Sequence, residues 1–189
     1  MNRCFRAVAL LALVCVAFSP AKCRAGMYTY LGLFVDGSHS LDRHDIPEPY
    51  AYYTTWVWIL PSDDGLRCAE FKLIQPAWNL CVKSTPNPLN SVILGFPYYD
   101  EGVSFCFGAC QTDWVWLYQI QQLPLSAGVP GYIEIVKCPQ SYDVIISDCT
   151  RGYPIDPFKI LNKLGLNQDA LIHNDDASWG AIKDIYSGR

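Results

Sequence analysis

Apolar residues occur along most of this chain in short runs that are separated by turn-forming residues. The strongest strand pattern is 50–60, in which aromatic and β-branched residues fill both alternating sets of positions, and Pro61 follows it. Segment 66–75 alternates apolar and polar residues, which is typical of a strand with one buried face. Similar runs recur, and we predict strands at 28–35, 50–60, 66–75, 78–83, 91–96, 103–107, 112–121, 132–137 and 144–147.

About nine short strands with frequent turns, and no long segment of helical period between them, favour an all-β fold. The pattern fits an antiparallel, Ig-like β-sandwich better than alternating β and α units. Within 112–121, strict alternation places one set of side chains on a single face: Trp114, Trp116, Tyr118 and Ile120.

The pattern changes after Cys149. Segment 151–157 contains two prolines and is typical of a connector, and 158–166 is interpreted as a helical turn ending near Gly165. Segment 178–186 has the signature of a short C-terminal helix, because Ser178 can cap it and its apolar residues share one face.

Residues 1–25 have the layout of a secretory signal peptide. Arg3 and Arg6 precede the apolar run 7–18, and 23–25 offers a cleavage site, with a second site at 19–21. The apolar run is shorter than the roughly 20 residues that span a bilayer, so we expect no transmembrane segment. We therefore predict a signal peptide at 1–25, a disulfide-stabilised sandwich at 26–150, and an extension at 151–189, in a secreted or periplasmic protein.

The net charge excludes one class of partner. The whole chain carries −4, and loss of residues 1–25 removes four basic residues and no acidic one, which leaves −8. An acidic chain without a basic cluster repels phosphate backbones, so we expect no nucleic-acid binding.

Six cysteines follow the predicted signal peptide: Cys68, Cys81, Cys106, Cys110, Cys138 and Cys149. An even number in an exported chain predicts disulfides, although the sequence does not choose the pairing. The shortest loops join 68 to 81, 106 to 110 and 138 to 149, and the middle ring is very small. A zinc site is not favoured, because paired CxxC spacing and a nearby histidine are both absent.

Three polar groups are candidates for chemistry. The loop 36–45 contains His39 and His44 with three aspartates, but its spacing specifies no metal geometry, and we interpret it as a surface loop. Glu70 and Glu134 lie in predicted strands, where paired carboxylates could hydrolyse glycans. Acidic turns at 63–65, 100–102 and 174–176 could bind calcium, but such residues more often simply form turns. We predict no catalytic residue, metal or cofactor.

Two predicted strands carry tryptophan at alternate positions: Trp56, Trp58, Trp114 and Trp116. We expect these side chains, like Trp78, to fill the core between two sheets. The alternative is an exposed aromatic contact surface for a sugar or a protein.

Several stretches resemble a group of uncharacterised secreted bacterial proteins. The stretches are 31–36, 102–110, 131–138 and 178–183, and Cys106 lies outside the shared pattern. The resemblance implies a signal peptide and a β-sandwich-like domain, and it supplies no activity, cofactor or site residue.

The sequence therefore predicts an exported, non-catalytic binding or structural module whose ligand is a protein or a glycan. A secreted glycan-active hydrolase and a calcium-dependent adhesive module are the alternatives. The hydrolase requires Glu70 or Glu134 to meet a second carboxylate in a cleft.

Overall fold

The chain folds as a β-sandwich, which confirms the predicted all-β class. The computed structural model describes residue 26 and residues 28–98 and 101–172, and these ranges contain strands and turns without a helix. Accordingly, nothing in these ranges is a helix long and apolar enough to span a membrane. The strands are β1 Thr29–Phe34, β2 Arg43–His44, β3 Tyr53–Leu60, β4 Leu66–Ile74, β5 Asn79–Pro86, β6 Asn90–Gly95, β7 Val103–Gln111, β8 Val115–Pro124, β9 Gly131–Val136, β10 Ile145–Ser147, β11 Phe158–Ile160, β12 Asn162–Leu166 and β13 Leu171–Ile172.

Two sheets face each other. One has the order β11-β1-β3-β8-β5, and the other has the order β13-β12-β9-β4-β7-β6, with β10 paired to β4 and β2 paired to β12. Neighbouring strands are antiparallel except for two parallel pairs, β1 with β11 and β2 with β12. Each of the nine predicted strands overlaps a strand of the structure.

The core lies between the sheets and follows the two-residue period of the strands. On β3, Tyr53, Thr55, Val57 and Ile59 are buried, and the residues between them face outward. The opposing sheet supplies fully buried phenylalanines, and the rings of Phe105 and Phe107 meet edge to face at 5.6 Å. Each such side chain contributes about 2–3 kcal/mol through burial alone. The buried core residues are mainly aliphatic and phenylalanine side chains, and no indole is among them in the described part of the chain.

A β-bulge interrupts the alternation in β8. Val57 pairs with Tyr118 and the next residue, Trp58, pairs with Trp116, so that Leu117 is an extra residue on the β8 side. Leu117 and Tyr118 are consecutive and both are buried in the core. The residues of β8 before Leu117 therefore lie on the face opposite to the one that regular alternation predicts.

The end of the described chain joins both sheets. β11 runs parallel to β1, and the Leu161 amide then donates to the Leu31 carbonyl oxygen at 2.8 Å before β12 joins the other sheet. The buried side chain of Asn162 accepts a hydrogen bond from the Leu33 backbone nitrogen at 2.9 Å and donates one to the Leu33 carbonyl oxygen at 2.7 Å.

The predicted helical turn at 158–166 is therefore wrong, because pairing with strands far away in sequence overrides the local pattern. The sandwich continues past residue 150. The predicted signal peptide at 1–25, the acidic turn at 174–176 and the predicted helix at 178–186 lie outside the described residues.

Among the described residues, two disulfides join segments that are distant in sequence. Cys68 on β4 bonds Cys106 on β7, its direct cross-strand partner, and Cys110 bonds Cys149. Cys81 and Cys138 are free thiols. The shortest-loop pairing is thus wrong, because sheet order and not sequence distance brings the thiols together. Burial raises the pKa of the Cys81 thiol to about 11.

Removal of the Cys110–Cys149 bond tests this pairing. The bond closes a separation of 39 residues, so the double variant Cys110→Ser/Cys149→Ser should lose about 4 kcal/mol of unfolding free energy in a urea titration. The matched control Cys81→Ser breaks no bond and should lose about 1 kcal/mol or less. Peptide mapping of the unreduced protein should find Cys110 linked to Cys149. A map that links Cys106 to Cys110 would contradict the pairing.

Candidate functional site

An aromatic cluster covers part of the outward face of the five-stranded sheet. We call it the aromatic surface and define it as Trp56 and Trp58 on β3, Trp116 on β8, and Trp114 just before β8. All four indoles are half-buried. The rings of Trp56 and Trp116 are perpendicular at 5.5 Å, and those of Trp58 and Trp114 lie 6.4 Å apart at 75°.

These positions correct the expectation that the tryptophans fill the core. None of the four indoles belongs to the cluster of buried residues between the sheets. Trp78 is partly buried and packs against that cluster. Trp56 and Trp58 face outward because the other face of β3 is occupied by the aliphatic core. Trp116 would share a face with Ile120 in a regular strand, and the bulge at Leu117 turns it outward instead.

One half of the aromatic surface is anchored from below. Trp58 and Trp114 pack against Phe34 and Leu161, which are buried on this outward face. Gly32 on β1 makes room for this packing, since a Cβ there would lie 2.9 Å from Cε2 of Phe34. The other half consists of Trp56 and Trp116, whose rings contact each other.

A loop tied to Asp36 lies over the aromatic surface. The Asp36 carboxylate accepts hydrogen bonds from the Ser40 and Leu41 nitrogens, both at 2.9 Å, and from the hydroxyls of Ser38 and Ser40. Partial burial alone would raise the pKa of Asp36, but these hydrogen bonds outweigh it and lower the pKa to about 2.

The loop places an imidazole ring on the aromatic surface. His39 has a φ of 47°, in the left-handed region, and its ring stacks on Trp114 at 4.4 Å and 15°. Its ring also makes a T-shaped contact with Trp58, at 4.9 Å between the ring centroids. Burial lowers the pKa of His39, and the carboxylates of Asp36 and Asp113 oppose that shift.

His44 has a separate position. Its ring stacks on Tyr53 at 4.3 Å, and burial lowers its pKa. The structure thus gives each histidine of the loop its own aromatic partner. Within the described ranges, no group of three or more histidine, cysteine, aspartate or glutamate side chains is arranged to hold a metal ion.

The two glutamates that motivated the hydrolase hypothesis have other partners. Glu134 forms an ion pair with Lys163 at 2.6 Å. Glu70 accepts hydrogen bonds from the hydroxyls of Ser104, at 2.6 Å, and Ser141. In the acidic turn 63–65, the Asp64 carbonyl oxygen accepts from the Cys149 amide at 3.1 Å. The carboxylates of Glu70 and Glu134 are thus paired with other side chains of the sandwich.

The structure also shows a buried carboxyl group that the sequence did not single out. Asp156 is 4% exposed and accepts a hydrogen bond from the hydroxyl of Thr29. Burial raises its pKa, hydrogen bonds from Thr29 and Ser62 oppose this, and Asp148 and Asp64 raise it further. No local pattern could reveal this contact, because 127 residues separate its partners. It anchors the start of β1 beside β11. An open, mainly apolar cavity of about 500 Å³ adjoins it, lined by Tyr142, Asp143, Val144, Ile145, Ile155, Asp156, Pro157 and Phe158.

Known structures share this fold. No protein-family model and no curated protein matches the sequence. The sixth cohesin of scaffoldin B from Acetivibrio cellulolyticus, solved with a dockerin, has a TM-score of 0.51 at 14% identity over 75% of this chain and 99% of that chain. A non-cellulosomal cohesin from Archaeoglobus fulgidus has 0.52 at 13% over 74% and 89%. A type I cohesin from Clostridium thermocellum, solved with a dockerin, has 0.53 at 7% over 75% and 94%. At these identities the likeness shows the β-sandwich fold alone.

The loop over the aromatic surface should depend on the Asp36 charge. Asp36→Asn should lose about 1 kcal/mol of unfolding free energy near neutral pH, because a largely solvent-accessible carboxylate loses charged hydrogen bonds. The pKa of Asp36 is about 2 in the folded protein, below the ordinary 3.8. The stabilisation that Asp36 provides over asparagine should therefore be complete above the ordinary pKa. It should disappear as the pH falls towards 2.

Urea titrations at several pH values measure this effect. Asp45→Asn is the matched control, because Asp45 forms an exposed ion pair with Arg43 and should contribute about 0.5 kcal/mol or less. Equal losses for the two variants near neutral pH would refute the role of Asp36.

Proposed function

We propose that this protein is an exported, non-catalytic module that binds another protein through the aromatic surface. The observation that carries the proposal is the position of four tryptophans on the outside of a sheet. Tryptophan is enriched in protein interfaces and among the residues that dominate binding energy. The buried core between the sheets does not include these indoles, and outward-facing aromatic patches often mark contact sites.

The surroundings of the aromatic surface have the composition of an interface rim. Gln119 pairs with Trp56 across the strands, and the exposed Gln121 pairs with Thr54. Protein interfaces combine an aromatic centre with a polar, solvent-accessible rim of this kind. The sheet beneath holds the rings in place, which reduces the side-chain entropy that is lost on binding.

The fold adds support for a protein partner. Several of the structural neighbours are cohesins that were solved bound to dockerins. The shared architecture therefore serves protein binding in those molecules. We carry over this general mode and not the dockerin itself, since identities of 14% and 7% show the fold alone.

Export is part of the proposal. Its support is the layout of residues 1–25 together with two disulfides, which persist in oxidising compartments. The free thiols do not oppose this assignment, because Cys138 is fully buried and the pKa of Cys81 is high, so that little reactive thiolate is present at neutral pH.

A glycan is the second candidate ligand. Indole faces beside the amide groups of Gln119 and Gln121 offer both apolar contact and hydrogen bonds, which is the combination that small polar ligands require. The hydrolase alternative is less well supported, because the carboxylates of Glu70 and Glu134 already pair with two serines and a lysine.

Paired tryptophan variants test the proposal. The native protein is used as bait in a culture supernatant of its source, and the captured protein is then purified and titrated by calorimetry. Trp56→Ala/Trp116→Ala should weaken that complex by about thirtyfold or more, because even one tryptophan at an interface centre often contributes about 2 kcal/mol or more. The matched control is Tyr142→Ala, which removes a fully exposed aromatic side chain elsewhere and should leave the affinity unchanged.

Two outcomes would contradict the proposal. The first is an affinity that is unchanged by the tryptophan pair while circular dichroism shows both proteins folded. The second is specific, tryptophan-dependent binding to a glycan array in the absence of any protein complex, which would favour the glycan reading.

A further inference from the structure

The edge of the eight-stranded sheet carries an apolar strand. β6 is the last strand of its sheet and pairs with β7. All of its residues after Asn90 are exposed, and the large aliphatic ones are 40–66% exposed: Val92, Ile93 and Leu94. Leu89, just before the strand, is also exposed. We call Leu89–Gly95 the β6 edge.

The β6 edge is electrically neutral in an acidic protein. Neither 84–98 nor 102–112, which together contain β6 and β7, includes a charged residue, whereas the whole chain has a net charge of −4. Natural proteins usually guard an exposed edge strand with lysine, an inward charge or proline. Here prolines stand on both sides of the strand, at Pro88 and Pro97, and none lies within it.

We propose that the β6 edge pairs with the β6 edge of a second copy, in antiparallel orientation about a two-fold axis. In a two-fold interface each surface meets itself, so a charged strand would place like charges opposite each other. The β6 edge avoids this repulsion. Two acidic molecules that repel one another elsewhere can approach closely along this neutral strip.

The geometry of the edge limits the pairing to a short stretch. The register with β7 shifts between Asn90 and Val92, and the strand ends at Gly95, which has a φ of 82°. Regular pairing is therefore available at 92–95. Centred on Ile93, an antiparallel pair places Val92 of each copy opposite Leu94 of the other, and such aliphatic cross-strand pairs are stabilising.

Dimer formation would change how the protein binds its partner, although the proposed function does not require a dimer. The aromatic surface lies on the outward face of the other sheet, so β6 pairing leaves it free. A dimer therefore presents two aromatic surfaces. A partner with repeated binding sites would bind the dimer more tightly than the monomer, because the first contact raises the effective concentration for the second.

Sedimentation of the mature protein over about a hundredfold range of concentration tests the inference. The native protein should show a reversible monomer–dimer equilibrium. Leu94→Lys places a charge on the edge and should raise the dimer dissociation constant about tenfold or more. Ile155→Lys is the matched control, because Ile155 is 69% exposed against 66% for Leu94 and lies outside β6; it should leave the dimer unchanged.

Hydrogen exchange provides a second measurement that does not depend on a variant. Amides within 92–95 should become more protected as the native protein is concentrated, because an edge that pairs with another strand gains hydrogen bonds. A monomer at every concentration would overturn the inference. A dimer that survives Leu94→Lys with unchanged affinity, or open-ended assemblies instead of a dimer, would overturn it too. The tryptophan variants should not affect this association, so the two proposals fail separately.

Discussion

The aromatic surface depends on the bulge at Leu117, which determines the side chains of β8 that face outward. A strand presents alternate residues to alternate faces, and one extra residue exchanges the faces for everything that precedes it. Because Leu117 and Tyr118 are both buried, β8 supplies two consecutive residues to the core and turns Trp116 outward. Trp116 then meets Trp56, which the ordinary alternation of β3 already places outside.

The remaining parts of the site adapt to this arrangement. Gly32 leaves space for Phe34, whose ring supports Trp58 and Trp114 from below. From above, the carboxylate of Asp36 organises a loop that sets His39 on Trp114. Trp58 and Trp114 are thereby held by the protein's own side chains, and we propose that a partner binds chiefly over Trp56 and Trp116.

Sequence alone predicted the strands well and their partners poorly. Runs such as 50–60 and 66–75 identify strands because β-branched and aromatic residues repeat with a local period. The faces of β3 could not be assigned, since both sets of alternating positions are apolar and burial depends on the opposing sheet. Strict alternation gave the wrong face for Trp116, because a one-residue bulge has no local signature there. Likewise, 158–166 was interpreted as a helical turn, although it is built into both sheets through β1 and β9, more than 30 residues away in sequence.

The most direct test of this account is a nuclear Overhauser measurement on the folded protein that reports the neighbours of the Trp116 ring. We expect cross-peaks between the rings of Trp116 and Trp56, together with backbone cross-peaks that pair Trp58 with Trp116 and Val57 with Tyr118. A regular register, with Trp58 opposite Leu117 and the Trp116 ring in contact with Phe105 in the core, would contradict the account.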